Sequence, residues 1–175
     1  MTLDIDVLKK RMQPYRLQEI SPGDYDGIWS LYTSVGSYFR RFQPFPSSLN
    51  EALADLGALP PGVEPTAKHT FALYEKDQLI ALLDFIWNYP APNMMYLGLL
   101  LVHGTFQGKG IGSMILRSLE TSALEYGCKR IWVVVAECNL SARLFFQSKG
   151  FDATGMAYHR SLKYLVMEKS AIPTT

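Results

Sequence analysis

Leu97-Gly98-Leu99-Leu100-Leu101-Val102-His103-Gly104-Thr105-Phe106-Gln107-Gly108-Lys109-Gly110-Ile111-Gly112-Ser113 is the stretch that decides the fold. Its first part belongs to an almost unbroken apolar run, Met94 to Val102, which suits a central strand covered on both faces. Its last part opens a helix: from Gly110 to Tyr126, Ile111, Ile115, Leu119 and Ala123 recur at intervals of four, and Gly127 is placed to end it. A buried strand that turns through glycines into a helix favours an anion. The first helical turn leaves N–H groups unpaired at the positive end of the helix dipole. Glycines at 108, 110 and 112 remove side chains that would hold such a ligand away.

Working outward toward the N-terminus, His69 to Glu75 and Leu79 to Asn88 read as two strands around Lys76-Asp77-Gln78, a connection suited to a hairpin. Before them, Pro60 to Pro65 reads as an exposed loop. Leu49, Leu53 and Leu56 give one helix a stripe after Ser47 or Ser48, and Ile28, Leu31, Tyr32, Val35 and Phe39 give another, between Tyr25 and Phe42, its apolar face. Tyr15 to Ile20 reads as a strand, ended by Ser21-Pro22-Gly23, with Asp24 able to cap the helix that starts at Tyr25. Toward the C-terminus, Ile131 to Val135 is β-branched and aromatic, Asn139 is placed to cap a helix closed by Lys149-Gly150, and Phe151 to Met167 has room for two strands. That order argues for one domain, an α/β fold with a mixed sheet and helices on both faces.

The 175 residues are 48% hydrophobic and 19% charged, with a net charge of +1, so no uniform field draws in nucleic acid or an anionic membrane, and neither is expected as a partner. The N-terminal segment lacks the apolar core of a leader, and the longest apolar stretch is far shorter than a membrane span. The expected setting is the cytoplasm, with Cys128 and Cys138 as free thiols.

Three readings of the glycine-rich turn compete. A Walker A loop needs glycine five residues before Gly108 and Ser or Thr after Lys109, where the sequence has His103 and Gly110. A dinucleotide fingerprint finds its first two glycines at Gly108 and Gly110, with Glu137 as a ribose acceptor, but its third glycine is Ser113. The third reading is a resemblance. Gln107, Gly110 and Gly112 resemble the acetyl-CoA signature of the GNAT superfamily of N-acetyltransferases, and Asn139, Ala142, Phe145-Phe146 and Gly150-Phe151 resemble that family's second motif. The resemblance runs from about Tyr15 to Met167 and implies that residues 1–175 form a single N-acetyltransferase domain, with its core at about 15–167 and a mixed, mostly antiparallel sheet.

The resemblance implies acetyl-CoA as cosubstrate and a small-molecule or peptide amine as acceptor. It places the backbone of Leu100, Leu101 and Val102 against pantetheine, the N–H groups of Gln107, Gly108, Lys109, Gly110, Ile111, Gly112 and Ser113 on the diphosphate, and Asn139 beside the cofactor. Domains of this family often pair through sheet edges or helices, so a homodimer is compatible with it. The reaction it implies is direct attack of an amine on the thioester, with two proton transfers. An alkylammonium with a pKa of roughly 10.4 has to lose its proton first. Counting back from Val102 puts Tyr96 near the family's position for the base, and Asp84, inside an apolar run, is the other candidate. Strand alternation equally permits an outward Asp84. The tyrosine that protonates the thiolate in relatives corresponds to Phe146, which cannot donate; Tyr158, His159 and Tyr164 are downstream substitutes. His103 is expected to be a solvated loop residue, and Cys138 a small residue near the cofactor. Trp29, Tyr32, Tyr38, Phe39, Phe42 and Phe45 supply either core or acceptor pocket. Two further function classes stay open: a coenzyme-binding sensor without turnover and a nicotinamide oxidoreductase.

Overall fold

The computed structural model describes residues 4–41 and 44–171. Seven strands form one sheet in the order β1-β2-β3-β4-β5-β7-β6: β1 Arg16–Glu19, β2 Lys68–Glu75, β3 Gln78–Trp87, β4 Met94–Val102, β5 Arg130–Ala136, β6 Asp152–His159 and β7 Leu162–Ser170. All neighbouring pairs are antiparallel except β4 with β5. A single parallel pair also argues against a dinucleotide-binding fold, which is built from successive parallel units. The helices are α1 Ile5–Arg11, α2 Tyr25–Phe39, α3 Leu49–Gly57, α4 Ile111–Glu125 and α5 Leu140–Ser148. One core packs α1, α4 and α5 on one face of the sheet, around Leu8, Ile115, Leu119 and Phe146; a second packs α2 and α3 on the other, around Ile28, Leu31, Tyr32 and Leu56.

The element order agrees with the sequence reading apart from α1. That helix is capped by the Asp4 carboxylate, which accepts from the Asp6 and Val7 N–H groups, and it buries Leu8 and Met12. Phe42, expected at the end of α2 and among the pocket aromatics, lies outside the described residues. The expectation that β4 is covered on both faces does not hold along its second half, where Gly98 is exposed and Leu99 and Leu100 are half-buried.

The cause is a bulge. Asp84 pairs with Leu99 but Phe85 pairs with Leu97, so Gly98 stands unopposed in β4. Before it, Met95 and Leu97 face the α4 side; after it, Leu100 and Val102 do, a step of three residues instead of two. Pairing with β5 stops at the same place, covering only Met94 to Leu97 against Arg130 to Val133. Beyond it β4 follows β3 and β5 follows β7, and a gap opens between them.

Gly98 has a steric reason. A Cβ there would collide with Asp84 Oδ1 and lie 3.4 Å from Tyr96 Cε1. Gly98→Ala is therefore expected to cost about 1–3 kcal/mol by overpacking, measured by urea denaturation, and much less in an Asp84→Ala background; an additive pair would contradict the contact.

Asp24 secures the opposite end. It is buried and accepts from Gln18 Nε2 (2.8 Å), Ser21 N (2.7 Å), Ser21 Oγ (2.9 Å) and, through a short contact, the Tyr74 hydroxyl. Burial alone would raise its pKa, but these donors, Tyr74 foremost, hold it below the ordinary value. A depressed folded pKa gives stability that is complete above the unfolded value and is lost as pH falls through the folded one. Asp24→Asn is expected to cost about 1.5–3 kcal/mol at pH 7, and the gap to wild type should close below about pH 4. A gap that persists undiminished in acid would refute this assignment.

Candidate active site

At the parting of β4 and β5 lies a cavity of about 530 Å³, lined by β4, the glycine turn, the first turn of α4, α5 and the end of α2. Antiparallel pairing decides which β4 groups face it. The His103 N–H donates to the Ile80 carbonyl (2.8 Å), which fixes the phase of the ladder, so the peptide groups of Leu100 and Val102 turn away from β3 toward the gap. One of them is already engaged: Gln107 Nε2 donates to the Val102 carbonyl (3.0 Å).

The turn between β4 and α4 needs its glycines. Gly108 and Gly110 have φ of 74° and 83°, the left-handed region that side chains with a Cβ rarely adopt. The loop is pinned to α2, because Ser34 Oγ accepts from the Gly104 N–H (2.9 Å) and a Cβ on Gly104 would clash with the Ser34 carbonyl. His103 corrects the sequence expectation of a solvated residue. It is buried, and its Nδ1 accepts from the Thr105 N–H (3.3 Å), bracing the loop from inside. The first bond of α4 runs from the Met114 N–H to the Gly110 carbonyl (2.9 Å). The N–H groups of Ile111, Gly112 and Ser113 precede it, no side chain caps them, and no acidic residue stands in that turn.

Leu100, Leu101, Val102, Gln107, Gly108, Gly110, Ile111, Gly112, Ser113 and Asn139 all line this cavity. Lys109 does not; its ammonium lies over the Phe106 ring, 4.9 Å from the centroid. Asn139 is buried at the N-cap of α5, where Oδ1 accepts from the Ala142 N–H (3.1 Å) and from the Tyr38 hydroxyl (3.2 Å). Phe146 packs against Phe145 and Phe151 at the cavity wall. Tyr158, His159 and Tyr164 are not among the lining residues, and Tyr158 is 70% exposed. Cys138 is exposed and also outside the lining. Of the α2 aromatics, Tyr38 and Phe39 reach the cavity, while Tyr32 is core and donates to Asp55 Oδ2 (3.1 Å).

Asp84 and Tyr96 converge at Gly98, outside the cavity lining. Asp84 does not face outward. It is buried and paired with Lys68 (3.2 Å), whose Nζ also donates to the Ala58 carbonyl at the end of α3 (2.8 Å). Burial pushes its carboxyl above the ordinary carboxylate range; Lys68 pulls it back without cancelling the rise, and Asp55 adds to it. The Tyr96 phenol is pushed up to about 12 by burial, the Asp84 charge and Tyr89, so it stays neutral at physiological pH. The sequence reading missed Lys68 and the polar engagement of Tyr38. Nothing local marks Lys68, since its partner lies on the next strand. Among the described residues no group of His, Cys, Asp or Glu side chains is arranged to hold a metal ion, and no helix is long and apolar enough to cross a membrane.

A model of the acetyltransferase (GNAT) family matches residues 28–151. Among solved structures, an acetyltransferase from Thermus thermophilus is 25% identical with a TM-score of 0.70, over 89% of this chain and 96% of that one. PaiA N-acetyltransferase from Thermoplasma acidophilum, in complex with coenzyme A, is 16% identical with a TM-score of 0.63, over 90% and 99%. The ribosomal-protein-S18-alanine N-acetyltransferase of Escherichia coli is 15% identical with a TM-score of 0.65, over 92% and 96%. These last two speak for the fold alone. A comparison with curated proteins finds no match. With the family model spanning well over half of the sequence, this chain belongs to the GNAT acetyltransferase family and is a transferase.

Proposed function

We propose that the protein moves an acetyl group from acetyl-CoA to a primary amine on a small molecule or peptide. The observation that carries this is the continuity of one cavity from the uncapped N-terminus of α4 to the strand-free edge of β4. The donor chemistry fits the coenzyme. The N–H groups from Gly108 to Ser113 suit a diphosphate, that of Gln107 being already donated to the Gly104 carbonyl (3.4 Å), and the Lys109 ammonium stands nearby over Phe106. The peptide groups of Leu100 and Val102 suit the amides of a pantetheine arm, which would extend the sheet edge as a strand does. Acetyl-CoA, once held there, supplies an activated acyl carbon and a thiolate leaving group.

The chain's own residues then manage the protons. Asp84 takes the proton from the ammonium through water, and its raised pKa brings it closer to the pKa of the group it serves. Lys68 keeps that carboxylate oriented, and neutral Tyr96 stands with it at Gly98. A coenzyme-binding module without turnover is the second reading, favoured by Phe146, which has no proton to give.

Coenzyme A is expected to raise the melting temperature, equivalent to about 2.7 kcal/mol at a hundredfold excess over Kd, and NAD to leave it unchanged. Gly112→Asp, which puts a carboxylate in the anion-binding turn, should abolish that shift while the fold persists, since an acid in the first turn suits the helix itself. A shift that survives this change would place the coenzyme elsewhere. In a thiol-release screen across amines, Asp84→Asn should cut turnover by about 10²–10⁴ without weakening coenzyme binding. Because the Asp84 pKa is raised, wild-type activity should fall on the acid side at a pH above the ordinary carboxylate range. No thiol release from any amine, with tight coenzyme binding, would favour the second reading.

A further inference from the structure

Departure of a thiol from a thioester leaves a sulfur that needs a proton, and the cavity lining offers few sources. Its polar side chains are Tyr38, Gln107, Ser113, Asn139 and Ser141. Amides do not ionise, and serine hydroxyls are far weaker acids than a phenol. Among the described residues Tyr38 carries the one phenol in the lining.

The placement of Tyr38 is specific. It sits in the last turn of α2, and its hydroxyl reaches the start of α5, donating to Asn139 Oδ1 at 3.2 Å. That acceptor is itself fixed, since Asn139 is buried and the same oxygen takes the Ala142 N–H. The phenol is thereby held at the N-terminus of α5, in the lining of the same cavity as Leu100, Val102 and Phe146. Tyr38 is 37% exposed, which leaves a path for its proton to be replaced from solvent.

We propose that Tyr38 is the proton donor to the departing sulfur, an inference that rests on the acetyl-transfer reading above. As the amine nitrogen bonds to the acyl carbon, the carbon–sulfur bond breaks with its electron pair on sulfur. Tyr38 Oη passes its proton to that sulfur, and the phenolate regains one from solvent. The nitrogen gives up two protons in becoming an amide: the first, from the ammonium, leaves by Asp84, and the second, released as the nitrogen bonds to the acyl carbon, goes to solvent and offsets the one the phenolate regains, so the net reaction releases one proton.

The test is Tyr38→Phe, which removes one oxygen and leaves the ring contact with Phe39 in place, together with 3,5-difluorotyrosine installed at position 38 to lower the phenol pKa. Three readouts are taken: the pH profile of kcat, coenzyme A affinity by calorimetry, and the melting temperature. Tyr38→Phe is expected to lower kcat by tenfold or more, within the usual general-acid contribution of about 10²–10⁴, to erase the alkaline limb, and to leave coenzyme A affinity unchanged. The difluorotyrosine protein should stay active with its alkaline limb moved to lower pH. An unchanged limb in both proteins overturns the proposal, as does a loss of coenzyme affinity that matches the loss of turnover, which would make Tyr38 a binding clamp. If wild-type protein fails to bind coenzyme A, the acetyl-transfer reading itself fails; if it binds and turns over but Tyr38→Phe is normal, only this inference does.

Discussion

The unopposed glycine in β4 governs everything else in the molecule. Because Gly98 lacks a side chain, the Asp84 carboxylate lies over it, the strand changes which residues face which core, and hydrogen bonding to β5 ends. A continuous ladder would have satisfied every peptide group of β4 internally. The interrupted one leaves the groups of Leu100 and Val102 facing the gap that opens into the cavity. The interruption costs backbone pairing, and the sheet tolerates it because both strands keep their outer neighbours, β3 and β7.

The polar groups around the gap are held from behind. Ser34 and His103 fix the turn that leads into α4, and Asn139 fixes the start of α5 while receiving the Tyr38 hydroxyl from α2. Lys68 ties the Asp84 carboxylate to the end of α3, so the anionic group nearest the bulge is compensated by a cation that is itself buried. A carboxylate without that partner would be far more costly to bury. The two faces of the sheet thus contribute differently: the α4 and α5 face supplies N–H donors for an anion, and the α2 and α3 face supplies ionisable groups.

How much of this the sequence discloses depends on how local the cause is. α4 and the β2–β3 hairpin are legible because their periods and the turns that bound them lie within about 20 residues. The α4 turn is legible for the same reason, since its glycines lie close together in the chain. α1 escapes notice because it is only seven residues long and acidic and basic residues interrupt its few apolar ones, although Asp4 as cap and the spacing of Ile5, Leu8 and Met12 carry its signal. His103 misleads because a polar residue beside glycines looks solvated, and only the neighbouring loop shows it buried. The role of Gly98 needs a partner strand to be seen, though glycine inside an apolar strand is itself a hint of a bulge. Tyr38 and Asn139 stand 101 residues apart, and no local pattern joins them.

Amide chemical shifts followed by ¹H–¹⁵N NMR during titration with coenzyme A test the central claim most directly. The account requires the largest changes at Gly108 to Ser113 and at Leu100 and Val102, with β1 and the far end of β2 unmoved. Saturation that perturbs chiefly the surface around Glu19, Lys68 and His69, or no residue at all, would contradict it.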